Sequence, residues 1–111
     1  GQSGYKAMME LWKGDEKPTA IFCASDIMAM GVMNACRDLG LSIPQDISII
    51  SFDDNLWASF AHPPLTTFRQ DRQAIGKKAA EMMKQLLSGE KVPPRVLVPV
   101  QLIERDSCRK I

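Results

Sequence analysis

Twice in this chain an apolar run ends in acid. Ala20-Ile21-Phe22-Cys23-Ala24 leads into Ser25-Asp26, and Ile47-Ser48-Ile49-Ile50-Ser51-Phe52 leads into Asp53-Asp54. Neither run alternates cleanly between apolar and polar, which is the habit of strands covered on both faces in a parallel sheet. In open parallel sheets the crevice beyond the carboxyl ends of the strands is where ligands sit. Two strand ends presenting carboxylates therefore point to a cleft for a small polar molecule.

The rest of the chain supplies the helices such a sheet needs. Tyr5, Met8, Met9 and Trp12 recur at helical spacing between Gln2 and Lys13, with Gly14 as a stop. The first strand is expected at 19–24, and Ser25 then serves as the N-cap of a helix reaching Leu39, with Gly40 as its C-terminal stop. A second strand at 47–52, a short helical piece from Leu56 to Ala61 and a third strand from Leu65 to Arg69 follow. Asp71 to Leu87 is the most regular helix. Ile75, Ala79, Met82, Met83, Leu86 and Leu87 form one stripe, and Lys77, Lys78, Glu81, Lys84 and Gln85 the other face. A last strand, Arg95 to Glu104, is interrupted by Pro99, which suits a sheet edge or a bend. Helix alternating with strand implies an α/β fold with right-handed crossovers.

The 111 residues are enough for one domain, and a chain near this length buries roughly two-thirds of its unfolded surface. A formal net charge of +1 gives no electrostatic reason for this segment to bind nucleic acid. No run approaches the roughly 20 apolar residues of a membrane span, and the first residues lack a signal peptide's basic start. Cys23, Cys36 and Cys108 are odd in number and lack metal-like spacing, which fits a reducing cytoplasm. Cys23 and Cys36 read as small core hydrophobes rather than nucleophiles, and His62 before Pro63-Pro64 as a solvated loop residue. Neither GxGxxG nor GxxxxGK[ST] occurs. No enzyme activity, metal or cofactor is expected. Because the chain starts at Gly1 and enters helical sequence almost at once, it is expected to be a piece of something longer.

Three ordered stretches carry a likeness to a known family: Pro18 to Gly31, Gly40 to Asp54 and Pro63 to Asp71, with Ser3 to Met8 also fitting. Together they resemble the effector-binding region of the lactose and galactose repressor (LacI/GalR) family of transcriptional regulators. The resemblance implies a periplasmic-binding-protein-like lobe of type I, three-layered with a mainly parallel sheet, and a fragment of a two-lobed domain. Residues 1–111 would form mostly the C-terminal lobe, with about 71–88 packing on the N-terminal lobe. The DNA-contacting helix-turn-helix would lie outside this segment.

The same resemblance assigns residues. Asp53 matches an acid that binds sugar hydroxyls, and Gln70 a polar cleft residue where the chain crosses between lobes. Ser25 stands where the family usually has Asn, and its shorter side chain implies a smaller reach or a bridging water. Arg72 replaces an aromatic ring found in a family member, and a guanidinium there would favour an acidic or phosphorylated effector. Asp26, by contrast, reads as a structural acid in the first helical turn, and Asp54 as a loop acid. Between Ile27 and Cys36 only Asn34 is strongly polar, and a helix apolar all round must be buried all round. One face would cover the sheet and the other a partner or, alternatively, another part of its own chain. The family places this helix in its dimer interface, which assigns Met30, Met33, Asn34, Phe60 and Ala61 to a homodimer contact. The implied partners are a sugar or sugar derivative, a second copy, and operator DNA through the helix-turn-helix. The alternative is a periplasmic sugar-binding protein of an ABC transporter, which shares the lobed fold.

Overall fold

A computed structural model describes residues 1–111. The elements in chain order are α1 (Gln2–Leu11), β1 (Ala20–Phe22), α2 (Asp26–Asp38), β2 (Ser48–Asp53), a 3-10 turn (Leu56–Phe60), β3 (Thr66–Gln70), α3 (Arg72–Leu87) and β4 (Val100–Ile103). The chain divides into two units, one of residues 1–69 and 102–111, the other of residues 70–101.

The first unit is built on parallel strands. Ile21 is in register with Ile49, and Ser51 with Thr67, so the carboxyl ends of β1, β2 and β3 share one edge. The strand order is β1-β2-β3-β4. Ile47, Ile49 and Leu65 are fully buried with Ala29, Ala35, Cys36 and Ala58, and Met8 of α1 joins them. On the other sheet face the rings of Phe52 and Phe68 lie 5.9 Å apart, both half-buried.

Two expectations change here. β1 is three residues long, shorter than 19–24, and is not covered on both faces: Phe22 is 61% exposed. As the end strand of the order it has a neighbour on one side only. The last strand is Val100–Ile103 rather than Arg95 to Glu104, because Pro99 has no N–H to contribute to a ladder and the strand begins after it.

α2 also departs from the simple two-faced picture. Ser25 caps it as expected, its hydroxyl accepting from the Met28 N–H at 3.3 Å, and Gly40 ends it with φ +72°. Yet α2 is covered from two directions within its own chain. Its buried residues Ala29, Val32, Met33, Ala35 and Cys36 enter the core, while Gly31 is pressed against α1. A Cβ on Gly31 would sit 1.8 Å from the Gly1 carbonyl oxygen, and one on Gly4 would sit 2.1 Å from that of Met28. The helices thus meet backbone to backbone at two glycines. Only Ile27, Met30 and Asn34, with the charged end of the helix, remain exposed.

The first unit is closed by its return segment. Ser107 donates to the Ile49 carbonyl at 2.6 Å, accepts from the Thr66 N–H at 2.8 Å, and its own carbonyl accepts from the Ile49 N–H at 2.8 Å. Arg109 donates to the carbonyls of Pro44 and Gln45.

The second unit centres on α3. Asp71 caps it, accepting from the Ala74 N–H at 2.9 Å. No residue of α3 is buried, and its predicted apolar stripe is open: Ile75 is 40% exposed, Met83 57% and Leu87 82%. A hollow of about 320 Å³ lies between Ile75, Ala79 and Met82 and the run Val96, Leu97, Val98.

Candidate effector cleft and dimer face

The carboxyl edge of the parallel strands carries a polar cluster whose floor is Asp26. Its side chain is fully buried. Oδ1 accepts from the hydroxyls of Ser51 at 2.5 Å and Thr67 at 2.7 Å, and Oδ2 from the Asn55 N–H at 2.7 Å. Ser51 and Thr67 are directly paired across β2 and β3, so one acid at the start of α2 locks two strands and the loop beyond β2. A buried carboxylate is tolerated only when its lone pairs are met, and here they are. Asp26 is structural, as the sequence suggests, but by a wider reach than a helix dipole. The signal was present as two hydroxyl residues, Ser51 and Thr67, each two positions after a buried apolar residue, Ile49 and Leu65.

Above this floor the chain turns sharply. Asp53, the last residue of β2, has φ +123°, and Asp54 follows at +53°. Non-glycine residues seldom occupy such conformations, and where they do the surrounding structure must hold them. Asp54 shows how. Its side chain is only 6% exposed, Oδ2 takes the Arg69 guanidinium at 2.6 Å, and Oδ1 takes that of Arg105 at 2.7 Å. Arg105 is itself fixed, donating through Nη1 to the Leu65 carbonyl and through its backbone N–H to Thr66 Oγ1. Asp54 is therefore an ion-pair centre rather than a simple loop acid. Burial alone would raise its pKa, but the hydrogen bonds from Arg105 and Arg69, with their charges, outweigh burial and hold the carboxyl below its ordinary value. The stability these pairs contribute is full above the ordinary carboxylate range and is lost only as pH falls through the lowered value.

Of the four expected ligand contacts, Ser25 and Asp53 stand at this edge of the first unit, at the ends of β1 and β2. Both are half-buried. Ser25 spends an acceptor on its cap and retains its hydroxyl proton for donation. Gln70, the last residue of β3, and Arg72, the first of α3, belong to the second unit.

The five residues expected at a dimer contact line one groove of about 830 Å³ in the first unit. Met30, Met33, Asn34, Phe60 and Ala61 are joined there by His62. Phe60 is 75% exposed and Met30 37%, whereas Met33 is 8% exposed and divides its surface between groove and core. Sequence reasoning missed the loop Gly40 to Ile43 as part of the groove wall.

Cys23 and Cys36 are buried in the first unit and inert. Burial pushes the Cys23 thiol up to about 11, helped by nearby Cys36, and burial pushes Cys36 up to about 11 as well. No three His, Cys, Asp or Glu side chains gather to hold a metal ion. No helix is long and apolar enough to cross a membrane.

With this geometry the chain can be set beside known proteins. Residues 1–108 match the family model described as periplasmic binding protein-like domain. Over 107 residues the chain is 42% identical to an HTH-type transcriptional repressor PurR of Pectobacterium atrosepticum, a match covering 96% of this chain and 31% of the relative. It spans about a third of the length of the curated relatives it matches. Among solved structures, transcriptional regulator LacI from Bacillus cereus subsp. cytotoxis superposes with a TM-score of 0.90 at 31% identity, covering 97% of this chain and 39% of that one. The Lac repressor dimer bound to operator and the anti-inducer ONPF does so with 0.89 at 36% identity, covering 96% and 37%.

Proposed function

We propose, from the premise that the chain belongs to the periplasmic binding protein-like family and matches the effector-binding region of LacI/GalR transcriptional regulators, that it is the effector-sensing and dimerisation part of a sugar-responsive regulator. The regulators it resembles favour this over a transporter's sugar-binding protein. The whole protein would act in the cytoplasm. The observation that carries the reading is Asp53, an acid at the carboxyl end of a central parallel strand, in a backbone conformation maintained by the buried clusters around it. There it would accept hydrogen bonds from effector hydroxyls. Ser25 would donate to the effector too, the family resemblance assigns further effector contacts to Gln70 and Arg72, and residues 71–88 would lay the open stripe of α3 on the other lobe. An effector that binds one lobe arrangement better than another shifts the population towards it, and with it the affinity of a helix-turn-helix outside these residues for operator DNA.

The effector role is best tested with Asp53→Gly. Alanine at φ +123° would add strain, whereas glycine removes the carboxylate and accepts the backbone. In the full-length regulator, calorimetric titration with a panel of monosaccharides and their phosphates should find a binder for the wild type. Asp53→Gly should bind it about 10 to 100 times more weakly, the value of one or more charged hydrogen bonds, while keeping its fold. Equal affinity would reduce Asp53 to a turn residue.

The groove at Met30 and Phe60 is proposed as the seat of a second copy. A lysine at Met30 would place an unpaired charge in that contact, though in a single copy it could reach water. Sedimentation equilibrium of full-length Met30→Lys should show a dimer weakened by at least about 100-fold, with unfolding shifted by less than about 1 kcal/mol. A dimer of wild-type strength would remove this face from the interface.

A further inference from the structure

We infer that Asp54 is a positioning residue, a clamp whose carboxylate ties the turn carrying Asp53 to the strand end by which the chain leaves the first unit and to the segment by which it returns. The inference rests on the reading of Asp53 as the effector contact only for its functional consequence, since the clamp itself is a matter of Asp54, Arg69 and Arg105. Arg69 is the last residue of the first unit before residues 70–101, and Arg105 follows the return at Leu102. The two oxygens of one carboxylate thus each hold one crossing, at 2.6 and 2.7 Å.

Three features set this arrangement apart from a casual surface ion pair. The carboxylate is almost wholly buried, and each oxygen faces a different guanidinium, so neither arginine can substitute for the other. Arg105 is only 16% exposed and is anchored at Leu65 and Thr66, so Asp54 pulls against a fixed point rather than a swinging side chain. Lastly, Asp53 lies in β-register with Arg69. The turn is therefore tied to the outgoing strand once by backbone pairing and again, one residue later, by the Asp54 side chain. Any change in the path of either crossing is transmitted to the backbone at Asp53, and a change at Asp53 to both crossings. An effector acid carried on such a turn moves with the two crossings instead of independently of them.

Hydrogen exchange on the full-length protein, with no effector present, tests this directly, and the result does not depend on whether Asp53 binds one. In Asp54→Asn the amides of residues 53–55, 69–71 and 103–105 should exchange about tenfold faster or more, while Ala35, Cys36 and Ile49 keep wild-type rates. Arg69→Gln, at a half-exposed site and safe for folding, should reproduce the pattern at smaller size, including residues 103–105, whose Arg105 pairs with the other oxygen of Asp54. Acceleration spread evenly over the chain would mean that Asp54 merely adds stability, and would overturn the proposal. So would unchanged rates at 103–105 in Arg69→Gln.

Discussion

Replacing Asp26 by alanine is expected to cost about 4 kcal/mol of folding stability. The substitution strands the Ser51 and Thr67 hydroxyls in a space closed to solvent and takes the acceptor from the half-buried Asn55 N–H. Each unmet buried donor costs on the order of 1 to 3 kcal/mol, and because the three share one acceptor the losses will not simply add. Asp26→Asn should cost about 2 kcal/mol, since an amide oxygen can serve the two hydroxyls but the amide nitrogen then faces the Asn55 N–H. Removing the donors is gentler: Ser51→Ala and Thr67→Val should each cost about 1 kcal/mol. Urea unfolding of the four variants ranks them. An Asp26→Ala protein within 1 kcal/mol of wild type would show that water reaches the site and that the cluster is not structural.

Gly31→Ala should likewise destabilise, by at least about 2 kcal/mol, against the usual benefit of alanine in a helix. The added methyl would meet Gly1 O at 1.8 Å, Tyr5 N at 2.7 Å and Gly1 C at 2.8 Å, all backbone atoms that cannot rotate away. α1 must therefore lift from α2. Gly76→Ala in α3 is the matching control: nothing lies within 4 Å of the new Cβ, and this change should stabilise by up to about 1 kcal/mol. Thermal unfolding reads both signs. A stabilised Gly31→Ala would mean that α1 does not sit against α2 in solution.

These two variants also mark where the sequence speaks and where it is silent. Periodicity located every helix to within a few residues, since side-chain spacing and caps such as Ser25 and Asp71 are local properties. Strand extents were less legible. Pairing depends on neighbours remote in the chain, so β1 and β4 came out shorter than their apolar runs. The ordinary appearance of Gly31 in a helical run concealed a contact decided by the approach of two backbones. The candidate cleft was legible through Asp53 because a strand end is a position the pattern reveals. Its support was not: Asp54, Arg69 and Arg105 are brought together by a chain that leaves and returns, and no spacing in the sequence encodes that closure. The exposed part of α2 was foreseen in kind but overstated, because α1 takes a share of the apolar surface that had been assigned to a partner.

The seal formed by Ser107 and Arg109 has a consequence for biosynthesis. These residues complete hydrogen bonds to Ile49, Thr66, Pro44 and Gln45, yet they are translated only after residues 70–101 have been added. At roughly 5 to 20 residues per second, the sheet waits about 2 to 8 s on the ribosome with the starts of β2 and β3 unsealed. During that interval its polar backbone edge and the apolar stripe of α3 are both open. A nascent chain of this design would be a natural client for chaperones that shield exposed apolar surface, and a stall before residue 107 would leave a lobe that has its strands but cannot close.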